Sequence, residues 1–188
     1  SFKDSTIYID SLGILIGTNA SGKSNVLDAF AFLRAVGEGK SLLDAIQTVR
    51  GGEDWIIRRG EDFFCIEIEI EIEGSSYLLD LRVIKRNSVF SFGPCEIHRS
   101  GIEDDEVVSG KFIDSARNIT WKTYDVPIFL DFWAKIYATF RNIIILDPVP
   151  AKMRDYCKIS KELKSDGSNV AGVLCALSPE EKKKVEAL

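Results

Sequence analysis

Residues 17–24, Gly-Thr-Asn-Ala-Ser-Gly-Lys-Ser, combine residue types at a spacing that suits phosphate chemistry. Glycines at the first and sixth positions allow backbone torsions and close approach that a side chain would block. The amides of such a loop can turn inward around an anion, and a helix that follows directs its positive end to the same place. Lysine then adds a point charge, and serine offers a hydroxyl to magnesium. The pattern therefore predicts a loop that binds a nucleoside triphosphate, with ATP and Mg²⁺ as the expected ligands.

Each position of the loop has an expected role. Lys23 reaches the β- and γ-phosphates and is the expected catalytic residue, and Ser24 is the expected magnesium ligand. The full set of expected nucleotide-binding residues here is Gly17, Thr18, Asn19, Ala20, Ser21, Gly22, Lys23, Ser24 and Asn25. The alternative is a Gly/Ser turn between a strand and a helix that binds nothing.

The segments on either side of the loop should be a strand and a helix. Residues 6–9 alternate and residues 12–16 form a short apolar run, so both are predicted strands, the second buried. After the loop, residues 25–36 repeat apolar side chains at helical spacing until Gly37 and Gly39, which predicts a helix. A second, short helix is predicted over residues 41–49.

Further along, the hydrophobic period changes from helix to strand. Residues 66–73 alternate isoleucine and glutamate, which predicts a strand with a buried isoleucine face and a solvated glutamate face. With the return strand, this makes a hairpin over about residues 63–85. Evenly spaced acids could also hold a metal, but a solvated face is the more common arrangement. Residues 88–123 are expected to be irregular.

The last third is predicted to be mainly helical, over about residues 128–188. It includes a helix at 128–140, a buried strand at 142–146, a capped helix at 168–177 and a helix that starts at 178. Ser178 and Glu181 have the spacing of a capping pair.

Composition is that of an ordinary soluble globular chain of 188 residues, 45% hydrophobic and 28% charged. The net charge of −5 argues against a broadly basic surface that coats DNA, though not against a local basic groove. The four cysteines lack C-x-x-C spacing, so we expect reduced, mostly buried thiols in the cytoplasm. No run approaches the roughly 18 apolar residues of a membrane span, and no charged-then-apolar leader opens the chain.

The residues around the loop carry a family resemblance. Residues 14–30, Ile-Leu-Ile-Gly-Thr-Asn-Ala-Ser-Gly-Lys-Ser-Asn-Val-Leu-Asp-Ala-Phe, resemble the ABC-type ATPase heads of the SMC and RecF-like branch. Residues 56–61 and the strand after them look like the branch's next segment. Residues 146–154 and 163–174 are similar to bacterial AAA-type ATPases near the OLD-family nucleases and Septu-type anti-phage ATPases. The resemblance covers most of the chain.

That resemblance implies an α/β P-loop NTPase fold, with residues 1–188 forming the N-terminal lobe of one head: a mixed sheet with an antiparallel β segment. It also implies that two heads sandwich two ATP molecules, so that ATP binding closes a homodimer or a higher oligomer and hydrolysis opens it. DNA or a nuclease would be the partner, in DNA repair or anti-phage defence. Lys3 falls where members of the branch place a basic residue near the base or ribose; otherwise it is a surface lysine.

The chain departs from the family at several points. It contains no Leu-Ser-x-Gly signature, and Val108-Ser109-Gly110 lacks the helix that should follow. Pro148 stands after Asp147, where the catalytic glutamate is expected, and the lone glutamine, Gln47, comes too early to contact magnesium. We therefore expect the N-terminal lobe of a longer ATPase, which binds ATP but hydrolyses it poorly alone. Two alternative functions are a non-hydrolysing nucleotide sensor that scaffolds a nuclease and, less favoured, a small P-loop kinase.

Overall fold

The computed structural model describes residues 4–10, 13–18, 20–72, 74–100, 106–115, 118–123 and 130–186. The chain divides into two compact units, Ser1–Ile143 and Ile144–Leu188. The described part of the first unit contains helices and an antiparallel sheet. In the second, two short α-helices follow a stretch that contains one turn of 3-10 helix, Lys152–Arg154.

The first unit contains the helices α1 (Lys23–Gly37), α2 (Leu42–Gln47) and α3 (Leu130–Arg141). The helix α2 begins where the Ser41 hydroxyl accepts a hydrogen bond from the amide of Asp44, at 3.1 Å. All three helices lie close to the positions that the sequence predicts. Residues 128 and 129, the expected start of α3, lie outside the described residues.

The strands of the first unit form one sheet in which every described pairing is antiparallel. The order across the sheet is β1-β2-β4-β5-β6, and β3 also pairs with β2. The strands are β1 (Phe63–Ile72), β2 (Ser75–Arg86), β3 (Val89–Phe92), β4 (Pro94–Ser100), β5 (Glu106–Ser115) and β6 (Asn118–Thr123). The predicted hairpin over residues 63–85 is therefore confirmed.

Strand β1 has the two faces that its alternating sequence predicts. Ile66 and Ile68 are partly buried and lie opposite Leu81 and Leu79 of β2. The glutamates at positions 67, 69 and 71 are exposed. The side chains of a strand alternate between its faces, so a single register places every isoleucine on the core side.

The core of the first unit joins these elements. Its largest fully buried side chains come from α1, α2, α3 and β2: Phe32, Val36, Leu42, Ile46, Leu79, Leu81, Val83 and Ile136. The Phe32 ring also packs edge to face on Phe64 of β1, with ring centroids 5.4 Å apart. The apolar face of α1 is thus held by the sheet and by two other helices, which fixes the direction of the helix that follows the glycine loop.

The predicted strands at residues 6–9, 12–16 and 142–146 are wrong where the structure describes them. Those residues have no regular secondary structure, and Ile14, Ile16 and Ile144 expose 75%, 91% and 74% of their surface. An apolar run becomes a strand only when a neighbouring strand takes up its amide and carbonyl groups. The described pairings involve β1 to β6 alone. Of the predicted mixed sheet, the described residues show the antiparallel part.

The prediction that residues 88–123 are irregular is also wrong, because β3 to β6 lie there. The turn into β3 is made by Asn87 and Ser88, both with positive φ, 49° and 63°. Two consecutive left-handed residues suit the right-handed twist of a tight hairpin, but serine in the second position is a weak sequence signal. Pro94 is the first residue of β4. Proline has no amide hydrogen to donate to a neighbouring strand, and the first residue of a strand is one of the positions where this is tolerated.

The second unit contains α4 (Val170–Ala176) and α5 (Pro179–Glu186). The predicted capping pair of α5 is confirmed: Ser178 and Glu181 each accept the other's amide, at 3.3 and 2.8 Å. Across the described residues of both units, no helix is long and apolar enough to cross a bilayer.

The predicted cap of α4 is wrong. Asn169 precedes the helix, but its side chain makes no capping bond. The side-chain oxygen of Asn169 instead accepts from the backbone amide of Lys164, and its side-chain nitrogen donates to the backbone carbonyl of Glu162, both at 2.8 Å. Asn169 is buried, and both polar atoms of its side chain are satisfied by the backbone of the preceding loop.

The expectation of mostly buried cysteines is wrong for two of the described thiols, because Cys65 and Cys175 are exposed. The Cys65 thiol donates to the Asp80 carboxylate at 2.7 Å. Desolvation and the neighbouring Asp80 raise the pKa of Cys65 to about 12. Compared with an ordinary value near 9, that leaves roughly a thousandth of the thiolate, the reactive form.

We therefore expect Cys65 to react slowly with iodoacetamide at pH 8, and Asp80→Asn to accelerate the reaction. Asparagine keeps the size of the side chain but removes the negative charge that disfavours the thiolate. Peptide mass spectrometry after timed alkylation gives the rate at Cys65, and Cys175 in the same sample is the internal control. An unchanged rate at Cys65 in Asp80→Asn would contradict the role of the carboxylate.

Candidate nucleotide-binding site

Gly22 immediately precedes α1 and has a left-handed conformation, φ 92°. A residue with a Cβ would be strained there. The Gly22 carbonyl accepts from the amides of Asn25 and Val26, at 2.9 and 3.2 Å. No side chain caps the helix, and the amides of Lys23 and Ser24 donate to no acceptor within the described residues. The positive end of α1 is thus open to an anion.

A second left-handed residue, Ala20, lies two positions earlier, with φ 64°. This conformation costs a residue with a Cβ about 1–2 kcal/mol. Left-handed residues within a turn point successive amides into one concavity, the arrangement that binds phosphate in many proteins. Backbone strain of this kind concentrates at functional sites, where the surrounding structure maintains it.

The loop closes around the ammonium group of Lys23. Its Nζ donates to the carbonyls of Gly17 and Thr18, both at 2.6 Å, and to the Ser21 hydroxyl at 3.3 Å. These contacts use all three donors of the ammonium group. A Cβ at Gly17 would lie 3.1 Å from the Ser21 hydroxyl oxygen, so glycine permits the close approach that brings Ser21 to Lys23.

The described residues of the predicted site are brought together and remain accessible. Residues 17, 18, 20, 21 and 24 are exposed, while Gly22 and Lys23 are partly buried. The Ser24 hydroxyl makes no hydrogen bond within the described residues, which leaves its oxygen free to bind a cation. Asn19 and Lys3 lie outside the described residues and stay predictions.

Sequence reasoning did not assign a role at the site to Arg50 or to Asp28. The guanidinium of Arg50 donates from Nη2 to the Ser24 carbonyl at 2.7 Å and from Nε to Asp28 at 3.0 Å. Arg50 follows α2, 26 positions after Ser24 and 22 after Asp28. Hydrophobic periodicity and motif spacing describe residues that are close in the sequence, so they cannot predict a contact between residues this far apart.

Residues 56–61, part of the family resemblance, contain two further cationic side chains of the first unit. Arg58 and Arg59 are exposed before β1, and their side chains make no hydrogen bond or ion pair with the described loop residues. Asp147, the acid that precedes Pro148, lies exposed in the second unit, where its amide donates to the Ser165 carbonyl at 2.7 Å. Arg58 and Arg59 therefore take no part in the described hydrogen bonds that close the glycine loop.

Comparison with known proteins identifies the family. Residues 13–143 match the family described as "AAA domain, putative AbiEii toxin, Type IV TA system", which covers well over half of the chain. The chain belongs to this AAA domain family. The matched segment ends at residue 143, the last residue of the first compact unit, and includes the whole glycine loop.

Two curated relatives share the description "DNA double-strand break repair Rad50 ATPase". The protein from Sulfolobus acidocaldarius is 27% identical over 164 residues, which is 87% of this chain and 16% of that protein. The protein from Thermoplasma volcanium is 33% identical over 102 residues, 54% of this chain and 10% of that protein. The chain thus spans about a sixth or less of the length of these relatives. They support the resemblance to ABC- and SMC-type ATPases broadly. No solved structure matches the chain.

Proposed function

We propose that this chain is the nucleotide-binding part of an SMC- or Rad50-like ATPase and binds Mg-ATP through residues 17–25. The observation that carries the proposal is the closure of the loop around Lys23 at the open N-terminus of α1. A lysine ammonium, helix amides that have no acceptor among the described residues, and left-handed loop residues lie together there, and each favours a bound phosphate. Relatives described as ATPases and the AAA family match support ATP as the nucleotide.

Different groups of the chain bind different parts of Mg-ATP. The amides of Lys23 and Ser24 donate to phosphate oxygens, and the Lys23 ammonium exchanges its contacts with the carbonyls of Gly17 and Thr18 for the β- and γ-phosphates. The exposed Ser24 hydroxyl is a hard oxygen donor of the kind that Mg²⁺ prefers, and bound Mg²⁺ neutralises the charge on the triphosphate. Phosphoryl transfer depends mainly on such positioning and on charge stabilisation, so Lys23 is the residue of this chain that acts in catalysis.

In the whole protein, ATP binding drives two heads together, and this association controls a DNA-directed activity in DNA repair or anti-phage defence. The named role of the two relatives favours repair, and the toxin-system description of the family favours defence. DNA or a nuclease is the partner under either alternative. In this ATPase, the groups of a Leu-Ser-x-Gly signature and of an Asp-Glu strand end come from outside these 188 residues, whose sequence contains neither motif.

We expect the purified 188-residue chain to bind Mg-ATP and to release phosphate at a rate close to that of a blank. Calorimetric titration with ATP measures the binding, and a steady-state phosphate assay measures turnover. A chain that fails to bind ATP would overturn the proposal. Clear turnover would instead show that the general base lies within the chain, contrary to the sequence analysis.

The head-closure step needs its own measurement. Sedimentation velocity of the protein with Mg-ATP and with Mg-ADP tests whether the triphosphate promotes a dimer, and the same runs with a DNA duplex test whether DNA joins the complex. An ATP-bound protein that stays monomeric with and without DNA would favour the non-hydrolysing sensor.

A further inference from the structure

Arg50 lies on a turn whose backbone is held in place from both sides. Before it, the Thr48 hydroxyl donates to the Ala45 carbonyl at 2.6 Å. After it, the Gly52 amide donates to the Val49 carbonyl at 2.9 Å. The turn follows α2, whose residues Leu42, Ala45 and Ile46 are fully buried. The starting point of the Arg50 side chain is therefore fixed by the core of the first unit.

The guanidinium of Arg50 contacts two points on one face of α1. Nη2 donates to the carbonyl of Ser24 and Nε to the carboxylate of Asp28, four residues further on and therefore on the same side of the helix. A carbonyl has two lone pairs, so the Ser24 oxygen can accept from Arg50 and from the helix together. The planar fork of arginine suits two acceptors at a fixed separation.

Ser24 is the residue whose hydroxyl is proposed to bind Mg²⁺, and Arg50 holds its carbonyl. We propose that Arg50, oriented by Asp28, is a positioning residue that fixes the Ser24 backbone and so directs its hydroxyl to the magnesium ion. This inference rests on the proposed function, since it concerns the same site. Arg50 acts through Ser24 and does not itself contact the nucleotide.

The geometry of this contact matters more than its charge. The Arg50 side chain is 56% exposed and that of Asp28 is 17% exposed, so water screens their attraction, and an exposed ion pair contributes little by itself. What the pair supplies is direction: Asp28 orients the guanidinium so that Nη2 meets the Ser24 carbonyl. A lysine at position 50 would keep the positive charge but could not hold both acceptors with one planar group.

The test compares ATP affinity with Mg²⁺ and with EDTA in wild type, Arg50→Ala, Arg50→Lys and Asp28→Asn. Groups that orient a metal ligand typically change metal affinity by 10-fold or more, so Arg50→Ala should weaken Mg-ATP binding about 10-fold. Binding in EDTA, which depends on the loop amides and Lys23, should be unchanged in all four proteins. Arg50→Lys should resemble Arg50→Ala, and Asp28→Asn combined with Arg50→Ala should lose no more than Arg50→Ala alone.

Arg34→Ala is the matched control, because it removes an arginine and its 2.9 Å ion pair with Glu38 from the far end of the same helix. Its affinity for ATP should equal that of wild type in both conditions. If Arg50→Ala does not fold, Asp28→Asn gives the same comparison.

Three results would overturn the inference while the proposed function stands. They are wild-type Mg²⁺ dependence in Arg50→Ala and Asp28→Asn, restored affinity in Arg50→Lys, and an equal loss with and without Mg²⁺. The last two would assign Arg50 a direct charge contact with phosphate. A wild-type chain that binds no ATP would overturn the proposed function, and this inference with it.

Discussion

Replacing Lys23 with alanine is expected to lower the affinity for Mg-ATP at least about 100-fold, because the ammonium group makes two or more charge-assisted contacts with phosphate, each worth about 1.5–3 kcal/mol. The substitution also removes the hydrogen bonds to the carbonyls of Gly17 and Thr18 that close the loop. The loop would lose both its charge and the group around which it folds. No other side chain of the described loop is charged.

Calorimetry with Mg-ATP measures this loss directly. Lys40→Ala is the control, since it removes a lysine of the first unit that lies outside the loop and pairs with Glu38 at 2.8 Å. It should bind ATP as wild type does. Lys23 is not one of the hydrophobic residues that form the core, so the far-ultraviolet circular dichroism of Lys23→Ala should match that of wild type. A correctly folded Lys23→Ala protein with undiminished affinity would show that the nucleotide binds elsewhere.

The parts of the fold that local sequence predicts are those whose signal is contained in neighbouring residues. The loop needs glycine at position 22 because its own backbone is left-handed there, and α1 follows from apolar spacing within one segment. Strand β1 follows from strict alternation of isoleucine and glutamate. In each case the residues that make the pattern are also the residues that make the contacts.

The parts that sequence reasoning missed depend on distant partners. The apolar run at residues 13–16 has the composition of a strand, but no described strand lies beside it to accept its hydrogen bonds. Conversely, β5 and β6 form although residues 106–123 show no clear alternation, because each pairs with a neighbour in the sheet. The contact of Arg50 with Ser24 likewise exists only once α2 has packed beside α1.

Replacing Phe32 with alanine is expected to lower the free energy of unfolding of the first unit by about 3–5 kcal/mol, the usual cost of removing a buried phenylalanine ring. Phe32 is 1% exposed and packs edge to face on Phe64, with an angle of 81° between the ring planes. The loss is large against a total stability of about 5–15 kcal/mol for a domain. The substitution would also weaken the packing of α1, the helix that follows the glycine loop.

Urea unfolding followed by tryptophan fluorescence reports on the first unit, because all three tryptophans, at positions 55, 121 and 133, lie within residues 1–143. Leu43→Ala is the control: Leu43 is 49% exposed on α2, so its loss should change stability little. A Phe32→Ala protein as stable as Leu43→Ala would contradict the assigned core.

Adding Mg-ATP to the same unfolding experiment separates the scaffold from the site. A ligand that binds the folded state alone stabilises it by an amount that depends on its concentration and affinity. ATP should therefore raise the unfolding midpoint of wild type and of Phe32→Ala, since both keep Lys23 and its loop when folded. It should not raise the midpoint of Lys23→Ala. If ATP failed to stabilise folded Phe32→Ala, the affinity of the loop for ATP would depend on the packing of α1. The core and the nucleotide site would then be energetically coupled.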